Sequence, residues 1–237
     1  MSDYTVRPLR PDTWDGFAGL AERHNGAGFG CWCTWFHRER HPGPTAQSFC
    51  TKERQDGQHG SSLCDVCPYG VSPGQFAGED AIRADRTLSA PCGLGGRAVK
   101  QQLVSEGRAH AALVFDGDVA VAWCQYGTPA ELPGINHRKE YEAGLQRLPD
   151  YRITCFFVDR KYRRRGVAEV ALRGALDLIA QAGGGVVEAY PQDTGGKKVS
   201  ATFLYNGTRS LFEQAGFSYD RPKGVHHCVM SKTVAQG

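Results

Sequence analysis

The sequence predicts an α/β fold: a mixed, mostly antiparallel sheet flanked by helices. Three observations predict it. First, residues 153–182 change period. Ile153, Cys155, Phe156, Phe157 and Val158 form a short β-branched and aromatic run ended by Asp159, as in a strand buried on both faces. After Gly166, Val167, Ala171, Leu172, Ala175, Leu178, Ile179 and Ala182 recur at three- and four-residue steps, the apolar face of a helix. Second, Gly183-Gly184-Gly185 stop that helix and residues 186–190 supply another apolar run, so strand, turn, helix and strand make a right-handed crossover unit. Third, Asp116-Gly117-Asp118 sits between two apolar runs, which is the mark of an antiparallel hairpin. With 237 residues, 41% hydrophobic and 22% charged, the chain suits one large globular domain, with or without an insertion.

Taken in order, residues 4–9 alternate and read as a first strand, with Pro8 marking an edge or a strand end. Pro11-Asp12-Thr13 opens a helix that carries Trp14, Phe17, Ala18 and Ala21 on one face. The aromatic stretch 28–37 reads either as a pocket wall or as a core segment packed on the sheet. Its Cys31 and Cys33 are one residue apart, a spacing less usual for zinc than two.

Residues 40–97 are punctuated by glycine and proline and poor in large apolar residues. A structureless loop of that length is improbable inside a compact domain. The expectation is therefore a single domain over 1–237 with an insertion at about 40–97. Four of the nine cysteines fall in it, namely Cys50, Cys64, Cys67 and Cys92. Cys64-x-x-Cys67 has zinc-knuckle spacing, but one such pair is a weak signal, so zinc at Cys64 and Cys67 is not favoured over free thiols.

Residues 98–105 form a short helix through Val99 and Leu103, and 110–115 with 119–126 form the hairpin. A polar excursion follows over 129–150, in which 136–148 make a helix with Tyr141, Leu145 and Leu148 inward. Its carboxylates Glu131, Glu140, Glu142 and Asp150 read as solvated surface rather than as an amine site. Further on, Thr208 caps a short helix with Leu211, Phe212 and Ala215 inward and Gly216 at its end, and residues 227–231 close the sheet.

Chemistry points to the turn before the long helix. Five of the six residues 160–165 are cationic. A helix start leaves backbone N–H groups without partners and is the positive end of the peptide dipoles, and Gly166 has no Cβ to hold a ligand off. Together these suit a pyrophosphate. The dipole is worth about 0.3–1 kcal/mol and each charge-assisted hydrogen bond roughly 1.5–3 kcal/mol, so the arginines contribute more. Neither a P-loop nor a Gly-x-Gly-x-x-Gly turn is present. A solvated basic turn and a nucleic-acid contact are the alternatives, but the net charge of +3 supplies no global basic field.

Arg163-x-x-Gly166-x-Ala168 resembles the Arg/Gln-x-x-Gly-x-Gly/Ala signature of the GNAT superfamily of acyl-CoA-dependent N-acetyltransferases. Leu211-Phe212-x-x-Ala215-Gly216-Phe217 resembles that family's second motif. The resemblance covers residues 98–234 well, 4–37 loosely and the insertion not at all. It implies a GNAT-like, centrally split sheet and acetyl-CoA as co-substrate. By motif register, the amides of Phe156 and Val158 would hold the thioester and pantetheine arm. Those of Arg164, Arg165, Gly166, Val167 and Ala168 would take the pyrophosphate, with the Arg163 and Arg165 side chains on the phosphates.

The implied reaction is attack of a neutral amine on the thioester. Where many members place a proton-donating tyrosine, this chain has Phe212, which leaves Tyr205 as a substitute. Where histone-type members place a glutamate base it has Arg152, which leaves Glu188 and His110 as candidate bases. The expected acceptor is a small-molecule primary amine, with a protein N-terminus or lysine second. A non-catalytic acyl-CoA-binding module and a zinc-held nucleic-acid binder are the rivals from other classes. Lys197 and Lys198 are solvated or near a phosphate. No nucleic acid or membrane partner is expected, and a homodimer is left open. No apolar run approaches a membrane span and no signal-peptide core is present, so the expected compartment is the cytoplasm.

Overall fold

The computed structural model describes residues 3–26, 30–38, 95–196, 199–200 and 203–237. Cys50, Cys64, Cys67 and Cys92, nearly all of the 40–97 segment, and the pair Lys197 and Lys198 lie outside the described residues. In chain order the elements are β1 (Tyr4–Pro8), α1 (Trp14–Glu22), α2 (Gly96–Ser105), β2 (His110–Asp116), β3 (Val119–Gly127), α3 (Arg138–Ala143) and β4 (Tyr151–Val158). Then come α4 (Val167–Gln181), β5 (Gly185–Ala189), α5 (Arg209–Gln214), β6 (Ser218–Lys223) and β7 (His227–Val234). The strands form one seven-stranded sheet in the order β1-β2-β3-β4-β5-β7-β6. Of its pairs only β4 with β5 is parallel. This is the mixed, mostly antiparallel sheet flanked by helices expected from the sequence.

The split at its centre has a local cause. Pairing of β4 with β5 covers only residues 151–153 against 187–189. On its other edge, β4 steps from Cys155 opposite Gln125 to Ile153 opposite Tyr126, so Thr154 is an extra residue. A bulge bends the strand that carries it and sharpens its twist. Here it falls immediately after the last parallel pair, and the remaining half of β4 stays paired with β3 but has lost β5 from its other edge.

Two cores lie on the two faces, sorted by the two-residue period of the strands. Ala111, Leu113 and Phe115 of β2 join Trp14, Phe17 and Leu20 of α1. Ala112 and Val114 join Val167, Ala171, Leu172, Ala175 and Ile179 of α4. Burying each large aliphatic side chain stabilises by roughly 1.5–3 kcal/mol, so the predicted helix face is what holds α4 to the sheet. A Cβ on Gly174 would stand 2.5 Å from Val6 Cγ1, so its absence lets α4 lie against the edge strand.

The described part of the aromatic stretch, residues 30–37, packs with the core. Trp32 stacks on Trp14 at 6.4 Å, and Cys33 and Phe36 are buried with α1. The Cys33 thiol lies 2.9 Å from that of Cys155 and receives the Trp123 indole N–H at 3.1 Å. Two expectations need correction. The helix expected over 136–148 closes at Ala143 because Gly144 follows, so Tyr141 is buried and Leu145 packs inward, but Leu148 is 54% exposed. The helix expected to begin at Ala98 begins at Gly96, inside the assumed insertion. No helix among the described residues is long and apolar enough to cross a membrane.

Candidate active site

The cationic turn is built by its neighbours. Asp159 ends β4 and its N–H donates to the Val121 carbonyl at 2.8 Å. Its Oδ1 accepts the Lys161 amide at 3.0 Å, which winds residues 160–162 into one turn of 3₁₀ helix. Its other oxygen faces His24 at 3.1 Å and Arg23 at 3.8 Å. Burial pushes the Asp159 carboxyl up, but the Lys161 amide, His24 and Arg23 outweigh it and hold it below the usual range.

Arg164 and Gly166 both take positive φ, 62° and 75°. Gly166 is the N-cap of α4, and Glu169 and Val170 make the first ladder bonds, both to its carbonyl. The N–H groups of Gly166, Val167 and Ala168 thus stand ahead of the ladder, at the positive end of a 15-residue helix. Nothing lies within 4 Å of where a Gly166 Cβ would be, so the glycine answers to its φ and opens onto space. Arg160, Lys161, Arg163, Arg164 and Arg165 are all exposed. None forms an ion pair with a carboxylate among the described residues. Arg165 lies over the Tyr162 ring at 5.6 Å, and Tyr162 is tied to Asp116 at 3.0 Å.

Next to this turn lies the open half of β4. Because Asp159 donates toward β3, the alternating amides of Phe156 and Val158 face the opposite edge, where β5 has left. The chain itself fills part of that edge. Phe156 donates to the Tyr205 carbonyl at 2.6 Å, and the Asn206 side-chain amide donates to the Thr154 carbonyl at 2.7 Å. Phe212 sits beneath, fully buried, edge-on to Phe156 at 5.8 Å and to Phe217 at 5.0 Å. A ring at this position is core, which is why it carries no hydroxyl. The Tyr205 hydroxyl lies instead by Asn136, whose amide donates to it at 2.9 Å.

Glu188 belongs to a different network. It stands opposite Arg152 across the short parallel pair. Its Oε2 accepts from Tyr141 at 2.8 Å and from Tyr190 at 2.9 Å, and its Oε1 lies 3.9 Å from Arg221. Arg152 donates to the Leu132 carbonyl at 2.8 Å and to Tyr141 at 3.3 Å. These groups pin α3 to the sheet. The structure therefore brings the turn residues and the β4 edge together but does not join Tyr205 and Glu188 in one constellation. His110 is at the other end of the sheet: it begins β2 opposite Tyr126, whereas the turn lies beyond the Val158 end of β4. There it pairs with Glu131 at 3.1 Å.

Sequence reasoning missed Asn136, Gln192, Asn206 and His227. Asn206-Gly207 carried a turn signal. Asn136 reaches Tyr205 from the 129–150 excursion, and Gln192 meets His227 through an isolated backbone bridge; no local spacing announces such contacts. Among the described residues no cluster of three or more His, Cys, Asp or Glu side chains could hold a metal ion.

No family model matches the chain, and no curated protein matches it. Solved structures do. One is described as histone acetyltransferase HPA2 and related acetyltransferase from Corynebacterium glutamicum (12% identity, 100% of this chain and 99% of that one, TM-score 0.47). Another is mosquito arylalkylamine N-acetyltransferase like 5b (12% identity, 98% and 100%, TM-score 0.46). A third is the PaiA N-acetyltransferase from Thermoplasma acidophilum in complex with coenzyme A (10% identity, 98% and 99%, TM-score 0.45). Each is a likeness to this chain, and none assigns a role to one of its residues.

Proposed function

We propose that the chain is a GNAT-type N-acetyltransferase that moves an acetyl group from acetyl-CoA to a primary amine of a small molecule. The observation that carries this reading is the turn itself. Five exposed cations without carboxylate partners surround a glycine-opened helix N-terminus, directly beyond a strand whose partner has splayed away. Arg163 and Arg165 would pair with the coenzyme phosphates, and the amides of Arg164, Arg165, Gly166, Val167 and Ala168 would take the pyrophosphate. The Val158 and Phe156 amides would line the pantetheine and thioester, the latter after the Tyr205 carbonyl gives it up.

In the step so implied, the amine lone pair attacks the thioester carbon. A C–N bond forms, the C–S bond breaks, the amine sheds a proton and the thiolate gains one. Backbone donors at the strand edge stabilise the oxyanion, and holding two reactants together supplies much of the acceleration. We assign proton delivery to Tyr205, whose hydroxyl is held by Asn136. Glu188, a candidate base by sequence, is engaged by two phenols and is better read as the fixed charge that orients Tyr141 and Tyr190.

A second reading, an acyl-CoA-binding module without turnover, is favoured by Phe212 and by the occupied Phe156 amide. Incubation with acetyl-CoA and a panel of amines, read by product mass, separates the two. An acetylated amine supports the transferase, and coenzyme binding with no product from any amine supports the module.

A further inference from the structure

A groove of about 310 Å³ opens beside Tyr205, lined by His137, Gln192, Phe203, Val225, His226 and His227 as well. Its floor is rigid. Gln192 bridges to Thr208 on one side and to His227 on the other, and Asp193 donates to the His226 carbonyl at 2.8 Å. Its rim is the β6–β7 turn, where a Cβ on Gly224 would come 3.0 Å from the His137 ring.

Two buried polar atoms on residues of this lining, Gln192 Oε1 and His227 Nε2, have no hydrogen-bond partner among the described residues. A buried polar group left without a partner costs about 1–3 kcal/mol, and these two fall side by side on one wall, where one ligand can serve both. Burial, with Lys223, His137 and His226 around it, pushes the His227 imidazole down to about 4, so it is neutral near pH 7. The amide oxygen accepts, and a neutral amine meets either imidazole tautomer, since it donates N–H bonds and accepts one.

The rest of the groove sets the amine's body and charge. Phe203 and Val225 at the rim are 59% and 87% exposed, two of the six large hydrophobic side chains left exposed among the described residues. Among the described residues no carboxylate lines the groove. Lys223, fully buried, stands opposite His227 in the β6–β7 register and is cationic near pH 7, its pKa lowered by burial to about 8. A cation entering here meets the buried like charge of Lys223, whereas a free-base amine finds two hydrogen-bonding partners and an apolar rim.

We infer that this groove, with Gln192 and His227 as its polar anchors, binds a monoamine in its free-base form carried on a small aromatic or aliphatic body, and excludes polyamines. The inference rests on the transferase reading only for calling that amine the acceptor.

The test is binding of benzylamine, aniline and spermidine to the full-length protein without coenzyme, followed by the imidazole NMR signals of His227. Benzylamine and aniline should shift them saturably and spermidine should not. Gln192→Leu should weaken benzylamine binding at least tenfold, and His227→Gln, which keeps a hydrogen-bonding side chain, should weaken it less. Calorimetry with acetyl-CoA should give the same affinity in both variants within twofold. Spermidine shifting the same signals as strongly as benzylamine overturns the inference, as does benzylamine binding untouched by Gln192→Leu. Saturable benzylamine binding with no acetylated product supports the groove and counts against the transferase reading alone.

Discussion

Arg163 and Arg165 are exposed and without carboxylate partners among the described residues, so removing them disturbs no salt bridge of the fold. The double variant Arg163→Ala with Arg165→Ala should keep its unfolding midpoint and weaken acetyl-CoA about tenfold or more by calorimetry, since both would be charge-assisted phosphate donors. Unchanged affinity would move the coenzyme elsewhere. Glu188 behaves oppositely. Its 5% exposure and its place opposite the buried Arg152, with Arg221 at 3.9 Å, make it the carboxylate that the Arg152 guanidinium depends on. Glu188→Gln should cost about 3–5 kcal/mol in urea unfolding, as losing one partner of a buried pair does. A variant of unaltered stability that had lost the acid limb of its pH–rate profile would reinstate Glu188 as the base.

At the scale of elements, α5 and the segment before it decide how the split is filled. Thr208 caps α5, its side chain accepting from the Leu211 amide at 3.4 Å, and Phe212 then drops into the core against Phe156 and Phe217. Phe212→Tyr would place a hydroxyl among aromatic rings with no partner. We expect about 1–3 kcal/mol of lost stability and no gain in turnover. Tyr205→Phe should lower turnover while leaving coenzyme affinity intact, because the Tyr205 contact with β4 is made by its backbone carbonyl. A faster Phe212→Tyr enzyme would place the proton donor in α5 after all.

Across the whole molecule, two half-buried imidazoles set the acid limit. Burial together with Lys100 pushes His37 down to about 3, and His227 lies at about 4. An unfolded histidine titrates near 6.5. The unfolded chain therefore takes up protons that the native one refuses, so stability is complete above pH 6.5 and falls as pH drops toward 3. The carboxyl of Asp159, held low, adds to this loss at the acid end. Melting temperature by calorimetry should decline steadily from pH 7 to pH 4, and a flat profile would contradict the burial of these rings.

Much of this architecture was legible in the chain because its signals are local. The change of period at Gly166, the Asp-Gly hairpin and the capped Gly-Phe helix each lie within a dozen or so residues. What was not legible is made at a distance. Thr154 becomes a bulge only once β3 fixes its register, Glu188 looks like a free base until Tyr141 arrives from the excursion, and Gln192 and His227 meet only by backbone bridging.

The bond from the Phe156 amide to the Tyr205 carbonyl has a kinetic corollary. If the coenzyme requires that donor, the resting protein is its own competitive inhibitor, and the rival travels tethered at a fixed effective concentration. Uptake observed by stopped flow under increasing acetyl-CoA should then level off at the rate at which the tether lets go, a ceiling that more ligand does not raise.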